Sequence, residues 1–246
     1  MAAILSNITL ETGKQPRHSI IWLHGLGADG NDFVPIVEEL DLPVAVRFVF
    51  PHAPMRPVTI NGGFVMRAWY DIASSSIPVL SSVEASPELC RRGDAQQDEK
   101  GIRESQAAIE ALIAQEISRG IAPENIVLAG FSQGGAIALH TMLRHGSSLG
   151  GVLALSCYLP LDYHVPSEMQ PSSTATPIFM AHGLNDPIIP YASGMASKDA
   201  LVEFGYAVTW HEYAMGHSVC EEELRDIETW LAQRMNYNVG ARFIAS

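Results

Sequence analysis

The sequence predicts an α/β fold, a mostly parallel central sheet with helices on both faces, and three observations lead there. Short continuous apolar runs at 19–23 (SIIWL), 44–50 (VAVRFVF), 125–129 (NIVLA) and 177–181 (PIFMA) read as strands covered on both sides. Longer segments of helical spacing lie between them, which is how strand–helix–strand units build a doubly wound sheet. At Gly130-Phe131-Ser132-Gln133-Gly134 a strand passes into a helix through a turn so tight that glycine is needed on both sides of the serine.

Taken in order, residues 19–23 form the first strand and feed into His24-Gly25-Leu26-Gly27. Asn31 reads as the N-cap of a helix reaching about Leu40, and residues 44–50 form the next strand, stopped by Pro51, Pro54 and Pro57. Residues 64–70 are a weaker extended run, and 72–95 form a Ser-rich stretch without periodicity. A long amphipathic helix is expected over 98–119, its stripe formed by Ile102, Ile109, Leu112, Ile113 and Ile117 and its end set by Gly120. The elbow strand 125–129 and helix 132–145 follow, then strands at 151–156 and 177–181. A helix over 190–204, a strand over 207–213 and a closing helix over 219–235 complete the chain.

With 246 residues, 47% hydrophobic and 17% charged, the chain suffices for one large core. Residues 1–246 read as one domain, with 236–246 extending past the last helix. A formal charge of −12, without a basic run longer than Arg91-Arg92, disfavours nucleic acid and anionic lipid as partners. Residues 1–10 lack the pattern of a secretion signal and no stretch approaches ~20 apolar residues, so no membrane anchor is expected and a cytoplasmic location is. Three widely spaced cysteines without a C-x-x-C pair suit reduced thiols, with Cys157 and Cys220 as small buried hydrophobes.

The elbow makes Ser132 a candidate nucleophile, although a serine before a helix is also an ordinary N-cap. Ligands of open α/β sheets bind beyond the carboxyl ends of the strands, so partners belong in the loops there. Of nine histidines, His18 precedes its strand, His211 lies within one, and His140 and His145 sit on the helix after the elbow. His217, between the last strand and the last helix, is the candidate base. Asp186, after the 177–181 strand, is the candidate acid that would hold the histidine tautomer, with Asp71 and Asp162 as alternatives. Asp186 with His217 gives the order serine, acid, histidine that accompanies this elbow, which Asp71 does not. Asp186 before Pro187 equally suits an Asx turn. Donors for an oxyanion are expected from the N–H of Gln133, at the positive end of the elbow helix, and from that of Leu26. His24 and His182, each followed by glycine, read as loop-orienting residues. Neither has a carboxylate or thiolate at ligand spacing, so no metal is expected, nor any organic cofactor.

These residues resemble the carboxylesterase and acyl-protein thioesterase family of α/β-hydrolases from about Ile20 to Leu231. The likeness rests on Leu23-His24-Gly25-Leu26-Gly27, Pro51-His52-Ala53-Pro54, Ala68-Trp69-Tyr70-Asp71, Gly130-Phe131-Ser132-Gln133-Gly134-Gly135, Leu155-Ser156-Cys157-Tyr158-Leu159-Pro160 and Met215-Gly216-His217. The resemblance implies a Ser132–His217–Asp186 triad, an oxyanion hole at Leu26 and Gln133, and hydrolysis of short- to medium-chain acyl esters or thioesters through an acyl-enzyme. Acylated proteins and lysophospholipids are implied substrates, and a homodimer is compatible with the family. An acyltransferase on the same triad and a non-catalytic ligand receptor are the rival readings.

Two segments depart from the family pattern, 72–98 by its length and the tail after Met235. Residues 72–89 mix Ile72, Ile77, Val79, Leu80, Val83 and Leu89 with serines, and are expected to form a lid. Ile77, Val79 and Leu80 are expected to line an acyl pocket together with Leu26, Trp69 and Tyr158.

Overall fold

The computed structural model describes residues 5–73 and 97–235. Nine strands alternate with six helices among these residues: β1 (Asn7–Glu11), β2 (His18–Leu23), α1 (Ile36–Glu39), β3 (Val46–Pro51), β4 (Met55–Val58), β5 (Phe64–Arg67), α2 (Glu99–Ser118), β6 (Ile126–Phe131), α3 (Gln133–Arg144), β7 (Gly151–Leu155), α4 (Val165–Glu168), β8 (Ile178–Gly183), α5 (Tyr191–Glu203), β9 (Val208–Tyr213) and α6 (Glu221–Arg234). Seven strands form one sheet in the order β1-β3-β2-β6-β7-β8-β9, while β4 and β5 pair as a separate hairpin. Every neighbouring pair in the large sheet is parallel except β1 with β3. The sheet is therefore mostly parallel, as the sequence predicts.

Two apolar layers cover it. One packs α2, α3 and α5 on Ile21, Leu128, Val152 and Met180, and the other packs α1 and α6 on Ile20, Val127, Leu153 and Phe179. Alternate residues of each central strand point to opposite layers, which is why these strands read as unbroken apolar runs. Within α2, Ile102, Ile109, Leu112 and Ile113 are buried as the stripe requires, while Ile117 is exposed in its last turn. The Asp98 side chain caps the helix by accepting from the Gly101 N–H at 2.9 Å. Glu168 of α4 ties α2 to α3, accepting from Arg103 and Arg144 at 2.6 Å each. Burial would raise this carboxyl, but the two guanidinium groups prevail and hold it at about 2.

Some expectations change. The helix expected over 31–40 is a single turn at Ile36–Glu39. Pro35 stands at its N-cap, while the Asn31 N–H bonds the Asp29 carboxylate at 2.7 Å instead of opening a helix. β1 has no counterpart in the sequence reading, because a half-exposed five-residue edge strand carries a weak apolar pattern. The strand expected to stop at the prolines does end at Pro51, while Pro57 sits in the separate β4–β5 hairpin opposite Val65, where a missing N–H is tolerated. The tail 236–246 and most of the 72–95 stretch lie outside the described residues. No helix among the described residues is long and apolar enough to cross a membrane.

Glu223 gives a pH test of the α6 packing. It is fully buried in the first turn, and burial lifts its carboxyl to about 8, against an opposing contribution from the Cys220 backbone. The folded state therefore keeps a proton that the unfolded chain releases near 4.5. This residue's contribution is full below that pH and falls as pH rises toward 8. Glu223→Gln, which stays neutral, is expected to raise Tm at pH 8.5 by about 3–8 °C, at roughly 2–4 °C per kcal/mol. At pH 5 thermal melts of the two proteins should nearly coincide.

Candidate active site

Because β2, β6, β7, β8 and β9 run parallel, the segments that follow them emerge at one end of the sheet. Ser132, the first residue past β6, has φ 54° and ψ −122°. That is a strained conformation for a residue with a side chain, costing about 1–3 kcal/mol. Neighbouring backbone enforces it. A methyl group at Gly130 would collide with the Gly134 backbone, and one at Gly134 with the Leu23 and His24 carbonyls. The Ser132 N–H is held by the Leu155 carbonyl at 2.8 Å, and its own carbonyl accepts the Ala136 N–H at 3.1 Å, so its backbone is fixed from both sides.

Asp186 and His217 meet. The His217 Nδ1 lies 2.7 Å from the Asp186 Oδ2, and the carboxylate is wholly buried. Its other oxygen accepts the Ile188 and Ile189 N–H groups at 2.8 and 2.9 Å, so the Asx turn and the histidine contact coexist in one side chain. With Nδ1–H committed to the carboxylate, Nε2 is left with the lone pair. His182 braces the same loop. Its Nε2 donates to the Ile189 carbonyl at 2.9 Å and lies 3.5 Å from Asp186 Oδ2. Burial pushes this imidazole down, opposed by the Ile189 carbonyl and the Asp186 carboxylate, and that keeps it neutral. The His217 ring packs on Phe131, with centroids 4.6 Å apart.

Gln133 begins α3 with its side chain locked, accepting the Trp69 N–H at 2.8 Å and donating to the Tyr70 carbonyl at 2.7 Å. Among the described residues, no hydrogen-bond acceptor takes the backbone N–H of Gln133 or of Leu26. His24 fixes the turn that presents Leu26. Its Nε2 accepts the Ala53 N–H at 3.1 Å, so Nδ1 carries the proton and donates to the Gly25 carbonyl at 2.7 Å.

Ser132, His217, Gln133 and Leu26 line one cavity of about 610 Å³. Leu26 and Tyr158 are among the lining residues. Trp69 is not among the lining residues. It is fully buried, with its indole N–H on the His24 carbonyl at 2.8 Å, and its neighbour Tyr70 takes the wall position. Ile77, Val79 and Leu80 lie outside the described residues, while Ile72, at the start of the expected lid, does line the cavity. The sequence reading missed Ile60, Ile188 and Ile189. The last two follow Asp186 after Pro187, so the loop that carries this carboxylate also supplies apolar wall. Asp71, an alternative acid, instead binds the Thr59 backbone N–H at 2.7 Å. Asp162 starts a short turn and accepts the Tyr163 N–H at 2.9 Å.

Residues 6–235 match the phospholipase/carboxylesterase family. The chain belongs to that family. Acyl-protein thioesterase 1 of Neurospora crassa is 40% identical to it over 247 residues, covering 96% of this chain and 95% of that protein. Carboxylesterase SOBER1 of Arabidopsis thaliana is 35% identical over 223 residues, covering 89% and 91%. The crystal structure of Arabidopsis thaliana SOBER1 superimposes with a TM-score of 0.78 at 33% identity, covering 89% of this chain and 99% of that one. This phospholipase/carboxylesterase family member is a hydrolase with the α/β-hydrolase fold, as the resemblance implies.

The glycine constraint can be tested directly. Gly134→Ala is expected to cost about 1–3 kcal/mol in stability, because the colliding atoms are backbone and cannot rotate away. Chemical denaturation should show the loss, and a Gly146→Ala control, where a methyl group meets nothing within 4 Å, should not.

Proposed function

We propose that this protein hydrolyses acyl esters and thioesters through an acyl-enzyme on Ser132. The observation that carries the reading is the 2.7 Å contact between His217 Nδ1 and the buried Asp186 carboxylate, on the cavity that Ser132 also lines. Two relatives, named acyl-protein thioesterase 1 and carboxylesterase SOBER1, support the substrate class.

His217 Nε2 removes the Ser132 proton as the serine oxygen attacks the acyl carbon. Asp186 fixes the tautomer and offsets the imidazolium charge. The tetrahedral oxyanion is taken up by the Leu26 and Gln133 N–H groups, which lack any other acceptor among the described residues. The intermediate then collapses and the carbon–oxygen or carbon–sulfur bond breaks. An alkoxide needs the proton from His217 to leave, and a thiolate needs it less because thiols are the stronger acids. Water activated by the same imidazole releases the acid. Ile60, Ile72, Ile188 and Ile189 give the cavity walls suited to an acyl chain. Acylated proteins and lysophospholipids are the natural carriers of such chains, and the reading places the reaction in the cytoplasm.

Ser132→Ala is expected to lower hydrolysis of matched octanoyl esters and thioesters by about 10⁴-fold or more while leaving Tm near that of wild type. A fluorophosphonate should label wild type and not the variant, and labelling at another serine would overturn the assignment. Asp186→Asn should keep Ser132 in place but lower kcat by about 10⁴, because the carboxamide no longer selects the productive histidine tautomer.

A further inference from the structure

Besides Asp32 and Asn61, the cavity is lined by a polar pair that the proposed chemistry does not use. Tyr70 and Tyr158 both line it, and their hydroxyl oxygens lie 2.9 Å apart. Both side chains are almost wholly buried, at 2% and 7% exposure. Two phenols carry two O–H donors, and a single hydrogen bond between them uses one. Among the described residues no acceptor takes the second. Burial raises both phenols, Tyr158 to about 12 and Tyr70 well above its usual value, so both keep their protons in neutral solution. Among the described residues one donor is therefore left over, close to the apolar Ile72 and Ile189 of the same cavity, where an unmet polar group is costly.

The side of the cavity on which the pair stands decides what it meets. The His217 ring packs on Phe131, whose neighbours belong to the α1/α6 layer. Tyr70, Cys157 and Tyr158 belong to the opposite, α2/α3 layer. The leaving group must face His217 to receive its proton, so the acyl chain is directed to the other side, toward the two phenols. Resting on the hydrolase reading above, we propose that the Tyr70–Tyr158 hydroxyl pair is a specificity subsite for acyl chains that carry a hydrogen-bond-accepting oxygen. An oxo, hydroxy or ether oxygen at the matching depth accepts the spare O–H, while a plain methylene leaves it unmet.

An oxygen scan tests this. p-Nitrophenyl octanoate is compared with analogues in which one chain methylene at a time is replaced by an ether oxygen. Wild type should favour one position in kcat/KM, by about 10-fold over the plain chain, the amount expected of one neutral hydrogen bond. The double variant Tyr70→Phe/Tyr158→Phe should lose that preference, its kcat/KM for the ether-bearing ester falling to that for the plain ester whatever the absolute rate. Each single variant then identifies the hydroxyl that faces the chain. Calorimetric titration of Ser132→Ala with the same esters reads binding without turnover, so the subsite is tested even if wild type hydrolyses none of them. In that case the hydrolase reading fails, while a binding preference lost in a triple variant carrying both Phe substitutions would still support the subsite. A plain chain preferred at every position, or a preference that survives the double substitution, would overturn it.

Discussion

The close approach of the elbow to the end of β2 is the constraint on which the site depends. Gly134 at the start of α3 lies against the Leu23 and His24 carbonyls, and Gly130 against the Gly134 backbone. Strand and helix can then enclose so sharp an angle only with Ser132 at positive φ. The same approach sets the first turn of α3 beside the turn that carries Leu26. Leu26 and Gln133, from distant parts of the chain, therefore line one cavity, and neither backbone N–H meets an acceptor among the described residues. The local strain at Ser132 is small beside the packing that α3 makes, with every residue from Gln133 to Leu143 buried.

A second organising group is the Asp186 carboxylate, whose two oxygens are divided between tasks. One closes the turn through Ile188 and Ile189, and the other receives His217. A buried carboxylate is stable only when its charge is met by donors, and here most of the donors are backbone that cannot rotate away. The acid thus orders its own loop, and the loop carries apolar wall residues with it. Base orientation and cavity shape are coupled through this one side chain. His182 supports both by taking the Ile189 carbonyl from beneath.

What was legible in the sequence follows from how local each signal is. The central strands show as apolar runs because both faces are covered, and the elbow shows because its glycines are required by contacts a few residues away. Asp186 and His217 could be found by their positions after strands, a rule of the fold and not of their neighbours in sequence. Trp69 was misassigned by a single residue. In an extended segment successive side chains point to opposite sides, and the sequence does not show which of Trp69 and Tyr70 faces the cavity. β1 and the one-turn α1 escaped because an edge strand and a proline-limited turn carry little periodicity. Ile60 reaches the wall from a hairpin whose approach to the elbow is set by tertiary packing alone.

The two faces of the sheet acquire different chemical duties from this arrangement. His217 comes from the β9–α6 connection and rests on Phe131, so the proposed chemistry sets proton transfer and departure of the leaving group on the α1/α6 side. Gln133 holds Trp69 and Tyr70 through its side-chain amide, while its own backbone N–H meets no acceptor among the described residues. In the proposed chemistry, oxyanion support and the wall that receives the acyl chain therefore meet at this residue on the α2/α3 side. On the other side His217 is joined to the Ile188 and Ile189 backbone through the Asp186 carboxylate, so main-chain hydrogen bonds tie both sides of the cavity to its walls.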